Sequence, residues 1–408
     1  MCFLSVCIIT HNEERFLDNC LSSVKDIADE IIVVDAYSSD NTTEIAATHH
    51  AQIIQRPWND DFSAARNMAI DHAKGNWVLF LDADETLQNG AALLDLLRKT
   101  MASDHEREIG GFLIERNNRY RLKENNKLTE YSVGIVRVFR NKSGFKYQYA
   151  IHEQIHYSIL NKGFQIKVCT ESRIVHHVAM STNEELDRKQ TYYLQLLTNE
   201  LNNAPGDHWL MYHQAKTLWY FDRKSEAQSI FSKIKREHDA PKDLRVGSSN
   251  QCALIDLENQ NPTSALNWIK SSKSLMSHQS MTCFIAYHVY YSMNLFEEAK
   301  AELLQVSTDL CNANTLSFIP GNLYCPRDIW HYKLGCAYLA MNKIDLAQTE
   351  FELGIEFNGD SSDNYYGLSI IALQKNLNKQ AKQYIEKCLQ QNPEWTEALE
   401  LRALISQL

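Results

Sequence analysis

Gly75-Asn76-Trp77-Val78-Leu79-Phe80-Leu81-Asp82-Ala83-Asp84-Glu85 decides the fold: an unbroken apolar run leads straight into a group of carboxylates. A run of this kind suits a strand covered on both faces, and such strands belong to parallel sheets flanked by helices. The residues upstream agree. Leu4 to Ile9 is another apolar run, followed by Thr10-His11-Asn12-Glu13. Phe16, Leu17, Cys20, Leu21, Val24 and Ile27 then recur at helical spacing. Ile31 to Val34 is a third run, ending at Asp35. Asn41 to His49 reads as a helix, Ile53-Ile54 as a short strand and Phe62 to Ala73 as a further helix. This alternation predicts a parallel sheet with right-handed crossovers. Ligands of such sheets bind outside the carboxyl ends of the strands. Thr10, His11 and Asn12, then Asp35, then Asp82 and Asp84, therefore converge on one crevice.

From about Gly110 the texture changes. Phe112 to Ile114, Ile135 to Arg140 and Ile166 to Val168 read as strands, expected to pair antiparallel, extend the sheet and form the acceptor side. From about Asp207 strand signals stop and a repeat takes over. Ala227, Ala265, Ala299, Ala347 and Ala381 each stand four residues before an apolar partner: Phe231, Ile269, Leu303, Phe351 and Ile385. Two of the intervals match the roughly 34-residue period of helix–turn–helix repeats, and the longest contains an inserted loop from Asn312 to Pro326. The small alanine lets two helices approach and the larger partner fills the gap between neighbours. Stacks of this kind form a concave binding surface.

The length of 408 residues predicts two or three domains. With 44% hydrophobic residues the chain can bury a sizeable core, and a net charge of -10 argues against a nucleic-acid partner. The 10 cysteines contain no CxxC pair, so neither a zinc knuckle nor a redox pair is predicted. The run after Met1 is too short to span a bilayer and carries no basic segment before it. The expectation is a cytoplasmic protein with no transmembrane segment.

The chemistry centres on Asp82 and Asp84. Divalent cations prefer hard oxygen ligands, and two carboxylates leaving a buried strand can hold one beside a diphosphate. Departure of a nucleoside diphosphate builds negative charge, which a bound cation stabilises. An isolated Asp-x-Asp serves a loop or cap equally well, so the surrounding series decides. Ile8-Ile9-Thr10-His11-Asn12-Glu13 is followed by Ile31-Ile32-Val33-Val34-Asp35-Ala36-Tyr37-Ser38-Ser39-Asp40-Asn41-Thr42. Then come Trp58-Asn59-Asp60-Asp61-Phe62-Ser63-Ala64-Ala65-Arg66-Asn67-Met68-Ala69-Ile70 and the Asp82 segment itself. In order and spacing this series resembles family 2 of the inverting GT-A glycosyltransferases over roughly residues 4 to 90.

The resemblance implies an α/β, Rossmann-like GT-A nucleotide-sugar domain followed by an all-α domain similar to tetratricopeptide repeats (TPR). It implies that Thr10, His11 and Glu13 line the nucleobase pocket, with His11 in place of a stacking aromatic. Asp35 would accept a hydrogen bond from uracil, Arg66 would sit near base or ribose, and Asp82 with Ala83 would face ribose and sugar. Asp84 would coordinate manganese or magnesium. Ala36 stands where the family usually has glycine, so donor details there differ. Ile151-His152-Glu153-Gln154 matches a His-Glu pair of repeat-bearing relatives and makes Glu153 the expected catalytic base, with Glu115 in reserve. Val175-His176-His177 offers an imidazole as a further metal ligand, His176 by preference. Arg137, Arg140, Arg188 and Lys189 are available to neutralise diphosphate. Arg137 and Arg140 stand three apart on a strand, so only one can reach the crevice.

The expected domains are 1–180 for the transferase, 181–206 for a connecting helix and 207–408 for the repeats. The layout is similar to peptide glycosyltransferases that modify Cys or Ser of bacteriocin precursors. That similarity implies a UDP-sugar donor, hexose transfer and a peptide or glycan acceptor held by the repeats, with a homodimer as a further expectation. Three alternatives stay open. One is a transferase of cell-envelope polysaccharide or lipid-linked glycan. Another is a nucleotidyltransferase, which would normally show a glycine-rich phosphate loop that Thr10-His11-Asn12-Glu13-Glu14 is not. The third is a repeat scaffold with an inactive transferase domain.

Overall fold

A computed structural model describes residues 2–121, 128–141, 143–177, 183–277, 279–308 and 325–407, with the side chains of 119–131 and 183 outside the description. The chain divides into two compact units, one of residues up to 120 and 130–221, the other of 121–129 and residue 222 onward.

The first unit is built on one eight-stranded sheet. Its elements are β1 (Leu4–Thr10), α1 (Leu17–Ser22), β2 (Glu30–Asp35), α2 (Thr42–Thr48), β3 (Gln52–Gln55), α3 (Phe62–His72), β4 (Trp77–Asp82), β5 (Glu85–Gln88) and α4 (Gly90–Ala102). Then follow β6 (Ile109–Arg121), β7 (Leu128–Arg140), α5 (His156–Leu160), β8 (Gln165–His176), α6 (Asn183–Asn203) and α7 (His208–Tyr220). The strand order is β3-β2-β1-β4-β7-β6-β8-β5. β3, β2, β1 and β4 pair in parallel, as the apolar runs predicted. β7 joins β4 antiparallel and β5 joins β8 antiparallel. The second half is not purely antiparallel, because β6 and β8 pair in parallel.

Alternation along the strands explains the two cores. Leu4, Val6 and Ile8 of β1 with Leu79 and Leu81 of β4 face Leu17, Cys20, Leu21, Leu93 and Leu97 of α1 and α4. Cys7, Ile32, Val34, Val78 and Phe80 face the other way, against Ala65, Ala69 and Ile70 of α3. A strand sandwiched like this has no polar face, which is why the sequence carries continuous apolar runs there. Arg140 leaves the sheet toward Trp77, its guanidinium 4.8 Å from the ring centre, while Arg137 is buried. Residues three apart on a strand face opposite sides, as expected.

Helices α6 and α7 belong to the first unit, so the compact boundary falls after Phe221 and not at 206/207. Leu196, Leu197 and Leu210 share a small core with Ile151, which fastens both helices to the loop that carries Glu153.

From residue 222 onward the regular elements among the described residues are all helices. They run α8 (Lys224–Arg236), α9 (Lys242–Glu258), α10 (Pro262–Leu275), α11 (Ser280–Ser292), α12 (Phe296–Leu303), α13 (Arg327–Ala340), α14 (Ile344–Phe357), α15 (Ser362–Gln374), α16 (Asn378–Gln391) and α17 (Thr396–Ile405). The Ala–apolar pairs of the repeat fall on α8, α10, α12, α14 and α16 and are all buried. The predicted inserted loop from Asn312 lies outside the described residues up to residue 324. Around Phe351 the packing leaves no room for a side chain at Gly335 or Gly367 of the helices beside it. A Cβ on Gly335 or Gly367 would lie 2.5 or 2.6 Å from that ring. Phe351→Ala is expected to lower the stability of this unit by about 3–5 kcal/mol through lost burial and the cavity left behind. Hydrogen exchange resolved by peptide checks this: protection falls in α13 to α15 and is unchanged in the sheet. The nine described cysteines are all free thiols, and no described helix is long and apolar enough to cross a membrane.

Candidate active site

The loops after β1 and β2 are locked to each other. Asn12 N donates to Ser38 Oγ (2.8 Å), and Ser39 N donates to Asn12 Oδ1 (2.8 Å). Asp35 is fully buried and accepts from both Ser38 N (2.9 Å) and Ser38 Oγ (2.5 Å). Asn12 (φ 56) and Tyr37 (φ 55) hold left-handed backbone in these loops. Such conformations concentrate at ligand sites. His11 is exposed, and the Thr10 hydroxyl is buried without a partner among the described residues. Ala83 is buried in the hydrophobic cluster beneath the β4–β5 turn, so its methyl serves packing.

Asp82, expected to face ribose and sugar, meets two arginines. One of its oxygens accepts from Arg66 Nη2 (2.6 Å), the other from Arg137 Nη2 (2.6 Å). Against the cost of burial, Arg137 and Arg66 hold the Asp82 carboxyl well below the usual carboxylate range. Arg66 also donates from Nε to Glu153 Oε1 (2.7 Å), with its guanidinium 5.2 Å from the Phe80 ring centre. Arg137 reaches on to Glu85 (3.4 Å), where Arg116 joins it (3.3 Å). Glu85 is fully buried and accepts from Asp82 N (2.9 Å), which fixes the turn. Sequence reasoning quoted Glu85 but gave it no role. The signal available was a carboxylate in a stretch that cannot expose every side chain. Arg66, expected near base or ribose, joins the end of β4 to Glu153.

Asp84 is left for another task. His176 Nε2 stands 3.1 Å from Asp84 Oδ2, and His176 Nδ1 stands 2.9 Å from Asn118 Oδ1. Asn118 donates from Nδ2 to Arg116 O (3.4 Å), so its oxygen is the atom turned to the ring. With Nδ1 directed at the amide, Nε2 is the ring atom turned to the Asp84 carboxylate. An imidazole oriented from behind by an amide is the usual arrangement of a metal-ligating histidine. Despite burial, which opposes it, the His176 hydrogen bond holds the Asp84 carboxyl below its ordinary range. Among the described residues no group of three or more His, Cys, Asp and Glu side chains could hold a metal alone. One carboxylate and one imidazole fit a magnesium or manganese ion that takes its other ligands from phosphate and water. His177 turns instead toward Thr86 (3.3 Å).

Glu13 lies within reach of these charges. Burial first, and then the charge of Asp84, push its carboxyl up to about 7, with Lys189 opposing. A carboxyl raised in the folded state contributes stability below its unfolded value and loses it as pH rises through about 7. Glu13→Gln is therefore expected to gain about 1–2 kcal/mol on wild type between pH 5 and pH 8, after discounting for solvent screening. Denaturant titrations of chelator-treated protein at the two pH values measure it. A difference independent of pH contradicts the assignment.

The loop carrying Glu153 is strained and braced. Tyr149 (φ 74) and His152 (φ 51) are left-handed. Trp209 Nε1 donates to His152 O (3.0 Å), and Ala150 N donates to Glu200 (3.1 Å). Ser63 Oγ donates to Tyr149 O (2.5 Å), tying the loop to the first turn of α3. Glu115, the reserve base, accepts from Ser132 (2.7 Å) across the β6–β7 pair.

Comparison with known sequences identifies two families along the chain. Residues 5–162 match glycosyl transferase family 2, and residues 331–361 and 362–394 match the tetratricopeptide repeat. The N-terminal unit carries a family 2 glycosyltransferase domain. Tetratricopeptide repeats follow it. Similar proteins include a TPR repeat-containing protein of Synechococcus elongatus, 36% identical over 39% of this chain and 37% of that one. An uncharacterized glycosyltransferase of Rickettsia typhi is 30% identical over 47% of this chain and 65% of its own length. The SPbeta prophage-derived glycosyltransferase SunS of Bacillus subtilis is 44% identical over 19% of each chain. The matches thus span less than two thirds of each of these relatives. The family 2 domain takes in Asp35, Arg66, Asp82, Asp84 and Glu153, whereas His176, α6 and α7 lie beyond the matched residues.

Proposed function

We propose that this chain transfers a hexose, with inversion, from a UDP-sugar to Cys or Ser of a peptide bound by its repeats. The observation that carries the transferase reading is the Asp84–His176 pair, oriented by Asn118 at the carboxyl end of β4 inside a family 2 domain. Asp84 and His176 would hold a divalent cation, and the chemistry it supplies when bound is Lewis-acid neutralisation of the departing diphosphate. Asp35 and the loops locked by Asn12 and Ser38 receive the nucleoside. Asp82, fixed by Arg66 and Arg137, presents a rigid edge to the sugar.

In the transfer, the bond from the sugar C1 to the β-phosphate oxygen breaks and its electron pair goes to that oxygen. The acceptor's sulfur or oxygen forms a bond to C1 from the opposite face and releases its proton. Glu153, held by Arg66, takes that proton. A thiol acceptor makes small demands on this base, since thiolate is accessible near neutral pH. The repeats support a peptide acceptor, because a concave helical stack holds an extended or helical segment and raises its effective concentration.

The test is a mass-spectrometric screen of the full chain with UDP-glucose, UDP-GlcNAc and UDP-galactose against peptides bearing free Cys or Ser. A hexose or N-acetylhexosamine mass added to a peptide supports the reading. Transfer to lipid-linked or polysaccharide acceptors alone replaces the peptide part, and failure to hydrolyse or transfer from any nucleotide sugar defeats the transferase reading.

A further inference from the structure

The loop that carries Glu153 is a closed turn held from two sides. Gln148 and Gln154 exchange backbone hydrogen bonds at its neck (3.0 and 3.2 Å), so residues 149–153 form its tip. The limb at Tyr149 and Ala150 rests on the start of α3: Ser63 Oγ donates to Tyr149 O (2.5 Å) and Phe62 N to Ala150 O (2.8 Å). The limb at His152 rests on α7. Trp209 Nε1 donates to His152 O (3.0 Å), and the His152 and His213 rings stack with centres 4.0 Å apart and planes at 16°. Trp209 and His213 stand four residues apart, hence on one helical face, and their ring centres lie 4.6 Å from each other. Asp207, the N-cap of α7, accepts from Tyr149 Oη (3.1 Å) as well as from Leu210 N (3.0 Å).

His152 O belongs to the peptide unit that leads into Glu153. The Trp209 bond therefore fixes the plane from which the Glu153 side chain starts. At its far end that side chain is fixed by Arg66 Nε on Oε1 (2.7 Å). A non-glycine residue at φ 51 persists only where its surroundings hold it there. Here the surroundings are Trp209, His213 and, from α6, the Tyr193 ring edge-on to His152 at 5.6 Å. The His152 imidazole is thus engaged by α7 and α6, although it adjoins Glu153 in sequence. Trp209 and His213 lie beyond the family 2 match, which ends at residue 162.

We propose that Trp209 and His213 are positioning residues for Glu153: α7 aims the carboxylate at the acceptor atom that attacks C1. The proposal rests on the transferase reading, with Glu153 as its base. A carboxylate acts as a base only within hydrogen-bond reach of the proton it takes, and a displacement of about 1 Å costs about 10²-fold in rate. The family 2 domain supplies the carboxylate, and a helix outside that match supplies its aim.

Steady-state turnover of the full chain tests this, with whichever of UDP-glucose, UDP-GlcNAc and UDP-galactose wild type uses fastest, and with water as acceptor where no peptide accepts. Trp209→Phe keeps a flat ring against Tyr149 and His213 and removes the N–H. It is expected to lower kcat about 10-fold or more while the donor KM stays within about 3-fold, because the attacking step alone depends on the base. In a Glu153→Gln background the same change is expected to cost less than about 3-fold, since no base is left to aim. Thermal melting verifies that each variant folds. If Trp209→Phe does not fold, His213→Leu, which loses the flat face against His152 and leaves the Trp209 bond in place, takes its position in the cycle. Wild-type kcat in the variant overturns the proposal. An equal loss with and without Glu153 also overturns it, since the effect would then lie on the fold at large. If Glu153→Gln keeps wild-type turnover, the base assignment and this proposal fall while the transferase reading stands. If wild type turns over none of the three donors, the transferase reading falls and takes this proposal with it.

Discussion

Asp84→Ala loses about 10³-fold or more in sugar transfer at saturating manganese or magnesium, with its melting temperature changed little. The magnitude is that of removing a group aimed at the charge developing in a transition state. Asp84 Oδ2 and His176 Nε2 stand 3.1 Å apart, so removing the carboxylate leaves one imidazole, too few ligands to hold a hard cation against water. Stability suffers little because the Asp84 side chain is 30% exposed and, among the described residues, its ion-pair partner is a histidine. Asn118→Ala acts on the same pair from behind: it frees the ring that Asn118 orients and weakens metal affinity by about 10–100-fold. Assays in metal-buffered solution read both effects. Wild-type turnover by Asp84→Ala at every metal concentration removes the foundation of the transferase reading.

Arg66→Met costs the N-terminal unit about 3–5 kcal/mol and abolishes transfer. The Arg66 side chain is 3% exposed and satisfies Asp82 and Glu153 together. Methionine fills the volume between Phe80 and Tyr147 but leaves Asp82 to Arg137 alone and Glu153 with no cation beside it. Removing one partner of a buried pair is costly because the other charge stays behind. The pH dependence identifies the cause. Asp82 is held well below its ordinary range, so the stability it contributes is present above the unfolded value of about 4 and is lost as pH falls through the lower folded value. The deficit of Arg66→Met relative to wild type is therefore largest at neutral pH and shrinks below about pH 4. Chemical denaturation followed by hydrogen exchange measures it, and a deficit of equal size at pH 3 and pH 7 points to packing instead of charge.

Much of the scaffold was legible residue by residue. Apolar runs at Leu4, Ile31 and Trp77 could only be strands covered on both faces, and they are β1, β2 and β4, paired in parallel. The Ala–apolar pairs of the repeat fall on α8, α10, α12, α14 and α16, because close helix approach demands a small residue at that spacing. The polar residues after the strands were legible for the same reason: strand polarity decides which end of a parallel sheet is open.

Pairings across the chain were not legible. Nothing local tells Arg66 that Glu153 stands beside it, or tells Asp82 that two guanidinium groups would take both its oxygens. The short strand β5 follows the Asp84 turn at once, and its partner β8 lies far along the chain. The helix expected as a connector, α6, is bound into the catalytic unit by Tyr192, Leu196 and Glu200.

What the sequence determined alone is therefore the set of elements, their order and the end of the sheet where chemistry collects, since these follow from burial patterns a few residues long. What only the tertiary structure decided is which charge meets which: Asp82 to the arginines and Asp84 to His176. Coulomb and hydrogen-bond energies depend on distances between residues tens of positions apart, and those distances exist only once the sheet has closed and α6 has docked upon it.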